Sequence, residues 1–172
     1  MSSSNLDEVD LKILEHLVTD ARLSQRALAR SIGMSPPAIS ERISRLEAAG
    51  VIKGYRAIVD WSALRRPMLV DISVLSEKSA DQREVAARLL EIPEVEIVDI
   101  ITGSLDLRLR LRIQDLDHLR KVFFDELMAV SGIQHTNTSI VLSTLEPPNF
   151  ARSVLQTLLS QIDEDAVAPK SD

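Results

Sequence analysis

Near residue 68 the spacing of apolar residues changes from a helical repeat to an alternation of two, and no single regular element serves both. Upstream, Leu6, Val9, Ile13, Leu14, Leu17 and Val18 recur at three and four, which predicts a helix over about 7–19. Ser24 is placed to cap a second helix carrying Leu28, Ala29 and Ile32 and ending at Gly33. A third runs from Ser35 to Ala49 and stops at Gly50, with Ile39, Ile43 and Leu46 on its buried face. Residues 51–55 and 56–59 read as two short strands. Downstream, 69–75 alternates, with Val70, Ile72 and Val74 on one side, and a helix over about 80–91 follows. Strands are expected over 95–101 and 105–113, a helix over about 115–130, and a strand over 134–145. The order β-α-β-β-α-β is the split βαβ, ferredoxin-like arrangement. Pro147-Pro148 then precedes a short amphipathic helix carrying Phe150, Val154, Leu158, Leu159 and Ile162, and Asp163–Asp172 reads as a frayed acidic tail.

The expected fold class is therefore α+β: a three-helix winged helix-turn-helix domain over 1–60, a linker over 61–67, a ferredoxin-like domain over 68–146, and a C-terminal helix and tail over 147–172.

Charge separates the same parts. The chain has 172 residues with 26 acidic and 20 basic side chains, a formal net charge of −6. Taken alone, that balance argues against a nucleic-acid partner. Between Arg22 and Arg56, however, seven bases face only Glu41 and Glu47, a local net of +5. A basic region inside an acidic chain is an electrostatic footprint for a polyanion, or else an ordinary solvated surface.

In a helix-turn-helix the last helix enters the major groove of duplex DNA, its N-terminal residues nearest the base edges. The outward face of the third helix is then Pro37, Ala38, Ser40, Glu41, Ser44 and Arg45, with Ser35 as its cap. Pro36 and Pro37 remove two backbone N–H groups from a turn that would otherwise hold a phosphate. Phosphate anchoring therefore falls to side chains, with Arg26, Arg30, Arg45 and Lys53 the candidates. Glu41 either accepts from a cytosine amine or is a plain surface charge. Arg42 falls beside the core, where an internal salt bridge and a DNA contact are equal alternatives. Three-helix packing in protein–protein contact is a further alternative for the unit. Five aromatic residues, scattered, do not make a stacking platform for single strands.

Other function classes have little support. The chain has no cysteine, so a thiolate metal site or nucleophile is excluded. His16, His118 and His135 lie far apart, and no phosphate-binding glycine loop or nucleophile elbow is present, so neither an enzyme nor a cofactor is expected. No uncharged apolar run nears the ~18 residues of a membrane span, and the N-terminus lacks an export signal, so a cytoplasmic protein with no membrane partner is expected.

Three stretches together resemble the leucine-responsive/asparagine-regulator (Lrp/AsnC) family of prokaryotic transcription factors, over residues 6–145. They are Leu6-Asp7-x-x-Asp10-x-x-Ile13-Leu14, the run from Ser35-Pro36-x-x-Ile39 through Arg42-Ile43, Leu46-Glu47 and Gly50-Val51-Ile52 to Tyr55, and Ile101-Thr102-Gly103-x-x-Asp106. The resemblance implies a DNA-binding regulator that forms dimers and assembles further through the C-terminal domain, to tetramers or octamers. It also implies a sensing domain in which a small effector, usually an amino acid, sits near the Thr-Gly turn. Carried over, Ile101, Thr102, Gly103, Ser104 and Asp106 are the candidate effector contacts, and Asp99 stands where the family often has histidine or tyrosine. A glycine turn exposes N–H groups for a carboxylate, and Asp106 is available for an ammonium. Asp99 either favours a cationic ligand or pairs with an arginine of the same sheet. Arg108, Arg110 and Arg112 face away from the leucine side, either as a charge-matched subunit interface with Asp71 across from them or as a solvated face. The alternative function is a sensor or assembly protein that does not bind DNA.

Overall fold

The computed structural model describes residues 6–167, with side chains described to Ile162. Its elements are α1 (Glu8–Thr19), α2 (Gln25–Ile32), α3 (Pro36–Ala48), β1 (Met68–Ser76), α4 (Gln82–Leu89), β2 (Val95–Ile100), β3 (Leu107–Ile113), α5 (Leu116–Lys121), β4 (Ile133–Val141) and α6 (Phe150–Val167). They form two compact units. One holds the residues up to Ala57 together with those from Leu145 onward, and the other holds 58–144.

In the first unit α1, α2 and α3 each start on a side-chain acceptor. Asp7 caps α1 in a capping box with Asp10, Ser24 accepts from the Ala27 N–H at 3.2 Å, and Ser35 accepts from the Ala38 N–H at 3.4 Å. Gly33, at φ +78°, ends α2 in the left-handed conformation that the turn into α3 requires. Ile13, Leu28, Ala29, Ile39, Ile43 and Leu46 make the core, and Met34, Val51 and Ile52 pack against it. The two strands expected over 51–59 do not form. Val51 and Ile52 instead donate to the Leu46 carbonyl at 2.9 and 3.2 Å, closing the end of α3. An isolated two-stranded ribbon has too little to bury to hold itself together, and Lys53 to Val59 are exposed. At the C-terminal end the helix runs on to Val167, past the Asp163 at which fraying was expected; 168–172 lie outside the described residues.

The second unit is a four-stranded antiparallel sheet in the order β2-β3-β1-β4. Val70, Ile72 and Val74 of β1 and Leu107, Leu109, Leu111 and Ile113 of β3 are fully buried, packed with Val85 and Leu89 of α4 and with Val122 and Leu127. Each such side chain contributes about 1.5–3 kcal/mol of transfer free energy. The helix expected over 115–130 is α-helical only to Lys121; Val122–Glu126 is one wide π-helical turn and Leu127–Ala129 a tight 3₁₀ turn. The stretch 61–67, expected as a linker, is folded: Trp61 accepts from the Leu64 and Arg66 N–H groups, and its ring lies under the Arg112 guanidinium at 5.5 Å. Among the described residues no helix is long and apolar enough to cross a membrane.

Gly132, which leads into β4, has φ +94°, and a Cβ there would lie 2.9 Å from Val85 Cγ2 and 3.0 Å from Ala80 Cβ. Gly132→Ala should therefore destabilise the second unit by about 1–3 kcal/mol, read as a lower urea midpoint with an unchanged slope.

Candidate nucleic-acid interface and effector turn

The chemistry of α3 begins with a carboxylate on another helix. Asp10 is the third residue of α1 and is 1% exposed. Its Oδ1 accepts from Arg42 Nη1 at 2.8 Å and from Arg45 Nη2 at 2.9 Å, and its Oδ2 accepts from Arg45 Nη2 at 2.8 Å and from the Asp7 N–H at 3.3 Å. Arg42 Nη1 also donates to both oxygens of Asp7, at 2.8 and 2.7 Å. Asp10 is the buried member of this network, and either guanidinium alone still leaves its charge matched.

Of the two readings for Arg42, the structure shows the internal salt bridge, with the side chain 23% exposed. Arg45 is different. It is 59% exposed, and its Nε and Nη1 have no protein partner among the described residues. Pro37, Glu41 and Ser44 are exposed beside it, and Ala38 and Ser40 are half-buried. The Ser35 hydroxyl is occupied as a helix cap. Arg22, Arg26, Arg30, Lys53 and Arg56 are exposed and have no ion pair among the described residues. The helix-turn-helix segment thus carries unpaired cations, while the two arginines of α3 itself are anchored.

The roles of Asp7 and Asp10 are absent from sequence reasoning, although both belong to the opening motif. The signal was their spacing: an acid three residues after a capping acid falls on the inner side of the first turn, and a buried carboxylate needs cations.

In the second unit the Ile101 N–H donates to the Asp106 carbonyl at 2.8 Å, closing a turn in which Thr102, Gly103 and Ser104 are exposed. Asp106, expected to be available for an ammonium, already has two protein donors. Its Oδ2 accepts from the Ser76 N–H at 2.8 Å and its Oδ1 from Gln82 Nε2 at 2.9 Å, so it ties the turn to the end of β1 and the start of α4. Asp99 follows its second reading: Arg108 Nη2 donates to its Oδ2 at 2.7 Å. The same face carries Arg110 on Asp71 at 3.1 Å and Arg112 on Glu96 at 2.9 Å. Asp71 lies directly opposite Arg110 in the β1–β3 register, as the strand order demands. These pairs are a quarter to a half exposed, so each contributes little, about 0–1 kcal/mol.

A capped helix-turn-helix with unpaired cations, joined in one chain to a ferredoxin-like unit with an exposed turn, defines a DNA-binding regulator with a ligand-binding module. Residues 6–53 match the winged helix-turn-helix DNA-binding family, and residues 68–149 match the Lrp/AsnC ligand binding domain. The chain is 32% identical over 147 residues to the leucine-responsive regulatory protein of Haemophilus influenzae, covering 84% of this chain and 89% of that protein. It is 36% identical over 139 residues to the HTH-type transcriptional regulator FL11 of Pyrococcus horikoshii, covering 81% and 91%. The crystal structure of a Neisseria meningitidis transcriptional regulator in complex with L-methionine superposes with a TM-score of 0.78 at 29% identity, covering 83% of this chain and 94% of that one. The protein belongs to the Lrp/AsnC family of transcriptional regulators.

Asp7 gives the anchored face a pH dependence. Desolvation works to raise its pKa, but hydrogen bonds from Arg42 and the Asp10 N–H, with the charges of Arg42 and Arg45, outweigh it and hold the carboxyl below its usual 3.8. A carboxyl lowered by folding stabilises above its unfolded value and loses that contribution as pH falls through its folded value. Asp7→Asn keeps a good helix cap and removes the charge. It should therefore unfold at lower urea than the native chain above about pH 5, with the gap closing as pH drops below 3.8.

Proposed function

We propose that this regulator grips duplex DNA through Arg26, Arg30, Arg45 and Lys53 on the phosphates, with Pro37, Ala38, Ser40, Glu41 and Ser44 along the groove. The observation that carries this reading is the contrast in pairing. Every arginine of β3 has a carboxylate partner, whereas Arg22, Arg26, Arg30, Lys53 and Arg56 have none among the described residues. Five such cations within one segment of net +5 in an otherwise acidic chain suit a polyanion. Arg42 serves the fold rather than the DNA, and Ser35 serves as a cap.

The effector is a neutral amino acid held at the Ile101–Ser104 turn. Thr102, Gly103 and Ser104 offer exposed N–H and hydroxyl donors for its carboxylate. Arg108 offsets the charge of Asp99, which removes the reason to expect a cationic ligand. Asp106 holds the turn in shape and makes no contact of its own with the effector. Likeness to a regulator solved with L-methionine and to a leucine-responsive protein supports the amino-acid class.

Salt titration of DNA binding tests the first part. For a labelled fragment from upstream of the protein's own gene, the slope of log K against log salt should be about −4 or steeper, since each neutralised phosphate adds ~0.9. A flat response would defeat the phosphate reading. Neutral amino acids should shift the midpoint, and Gly103→Val should abolish that shift while leaving the salt slope intact.

The protein works as a homo-oligomer, a dimer or a higher assembly, joined through the open face of the sheet. There the Asp71–Arg110 pair is flanked by the Asp99–Arg108 and Glu96–Arg112 pairs, and Ile97 is 46% exposed beside them. Reversing the central charge sets two acids against each other across β1 and β3. Arg110→Glu should lower the mass measured by light scattering, and an unchanged mass would place the interface elsewhere. A soluble regulator of DNA has its work in the cytoplasm.

A further inference from the structure

Arg45 lies ten positions along α3, well past the N-terminal turn that faces the bases, so a phosphate is the group within its reach. An arginine on a helix surface samples many rotamers, and binding normally costs it that freedom. Here one end of the guanidinium is already fixed. Nη2 sits between both oxygens of the buried Asp10, at 2.9 and 2.8 Å, and Asp10 is itself held by Arg42 and by the Asp7 N–H. The carboxylate belongs to α1, whose Ile13 lies in the same core as Ile39 and Ile43 of α3, so the anchor and the arginine move as one body. Nε and Nη1 are left without protein partners among the described residues, on a side chain 59% exposed.

We infer that Asp10 is a positioning residue for DNA binding: it holds Arg45 in one orientation on the recognition helix, with its free N–H groups turned out to donate to a backbone phosphate. This rests on the DNA-binding reading above and adds to it a residue that never touches the nucleic acid. An acid so near a polyanion should by charge alone weaken binding. At Asp10 its negative charge is spent on two guanidinium groups and it is shut off from solvent, so orientation outweighs repulsion. The arrangement also divides labour between two neighbouring arginines. Arg42 is shared between Asp7 and Asp10, whereas Arg45 meets Asp10 through Nη2 alone and keeps Nε and Nη1 unused.

A double-mutant cycle tests it on the full chain, using fluorescence anisotropy of a mixed-sequence duplex of about 30 base pairs at low salt, because a phosphate contact needs no operator. Asp10→Asn should weaken binding roughly 3- to 10-fold, the range set by re-immobilising one long side chain, without changing the salt slope. Arg45→Ala should weaken binding and reduce the slope by about 0.9. In the Arg45→Ala background, adding Asp10→Asn should change affinity less than about twofold, since the residue it positions is gone. An equal loss in both backgrounds would make Asp10 a structural residue only and overturn the inference. Tighter binding by Asp10→Asn would overturn it too, by showing that the acid competes with DNA for Arg45. Arg45→Lys, at an exposed position with little folding risk, keeps the charge but loses the anchored fork. It should bind several-fold more weakly at an unchanged slope, and binding equal to the native chain would again defeat the inference. Should the native chain fail to bind the duplex at low salt, the DNA-binding reading itself falls, an outcome distinct from all of these.

Discussion

An unbroken alternation of leucine and arginine leaves a strand one way to lie, and Leu107–Ile113 has no other register open to it. Slipping by one residue would bring three guanidinium groups into an apolar core. With that strand settled, its neighbours follow. β1 must set Val70, Ile72 and Val74 level with the leucines, and this same register carries Asp71 to Arg110. β2 carries Asp99 to Arg108 on the other side. Helices cover only the leucine face, because only that face is apolar. The open side of the sheet is thus a by-product of the core, matched in charge within the chain itself.

The first unit solves a different problem with the same chemical groups. Its core is small, six buried apolar side chains, and the helix that must be presented to DNA carries arginines that cannot be sunk into it. Burying one carboxylate under them converts two of those cations into a cross-link between α1 and α3. The result is a helix fixed from behind by charge as well as by isoleucine packing, while Arg22, Arg26, Arg30, Lys53 and Arg56 have no ion pair among the described residues. Ion pairs thus tie elements together in both units, α1 to α3 in the first and β3 to its two neighbours in the second.

How much of this was legible follows from the range of each interaction. Helix limits rest on local signals such as Ser24, Gly33 and Ser35, and these came through to within a residue or two. Alternation in β3 is local too, and it carried the sheet order and the Asp71 pairing with it. The strands over 51–59 failed because a ribbon's stability depends on what covers it, which local sequence does not record. The wide turn at Val122–Glu126 left no trace in the apolar spacing. At the candidate site, the exposure of Pro37, Glu41, Ser44 and Arg45 followed from helical geometry, although Ala38 and Ser40 of the same expected face are half-buried. The turn at Thr102–Ser104 was singled out by the family resemblance. The occupation of Asp106 by Ser76 and Gln82, and of Asp10 by Arg42 and Arg45, was not readable. Those contacts join residues 24 to 35 positions apart, and only folding chooses among the possible partners.

The last helix belongs with the first three. Glu15 of α1 accepts from Arg152 at 3.1 Å and from Gln156 at 2.9 Å, residues that follow the entire sheet in the chain. In order of synthesis the DNA-binding unit is therefore opened first and closed last, with the other unit inserted between its parts. At typical ribosomal speeds, roughly 5–20 s pass between the emergence of the α3 end and that of α6. Throughout that interval α1 stands without its final neighbour. A message cut short after the sheet would yield a chain whose sensing half is whole and whose reading half is not.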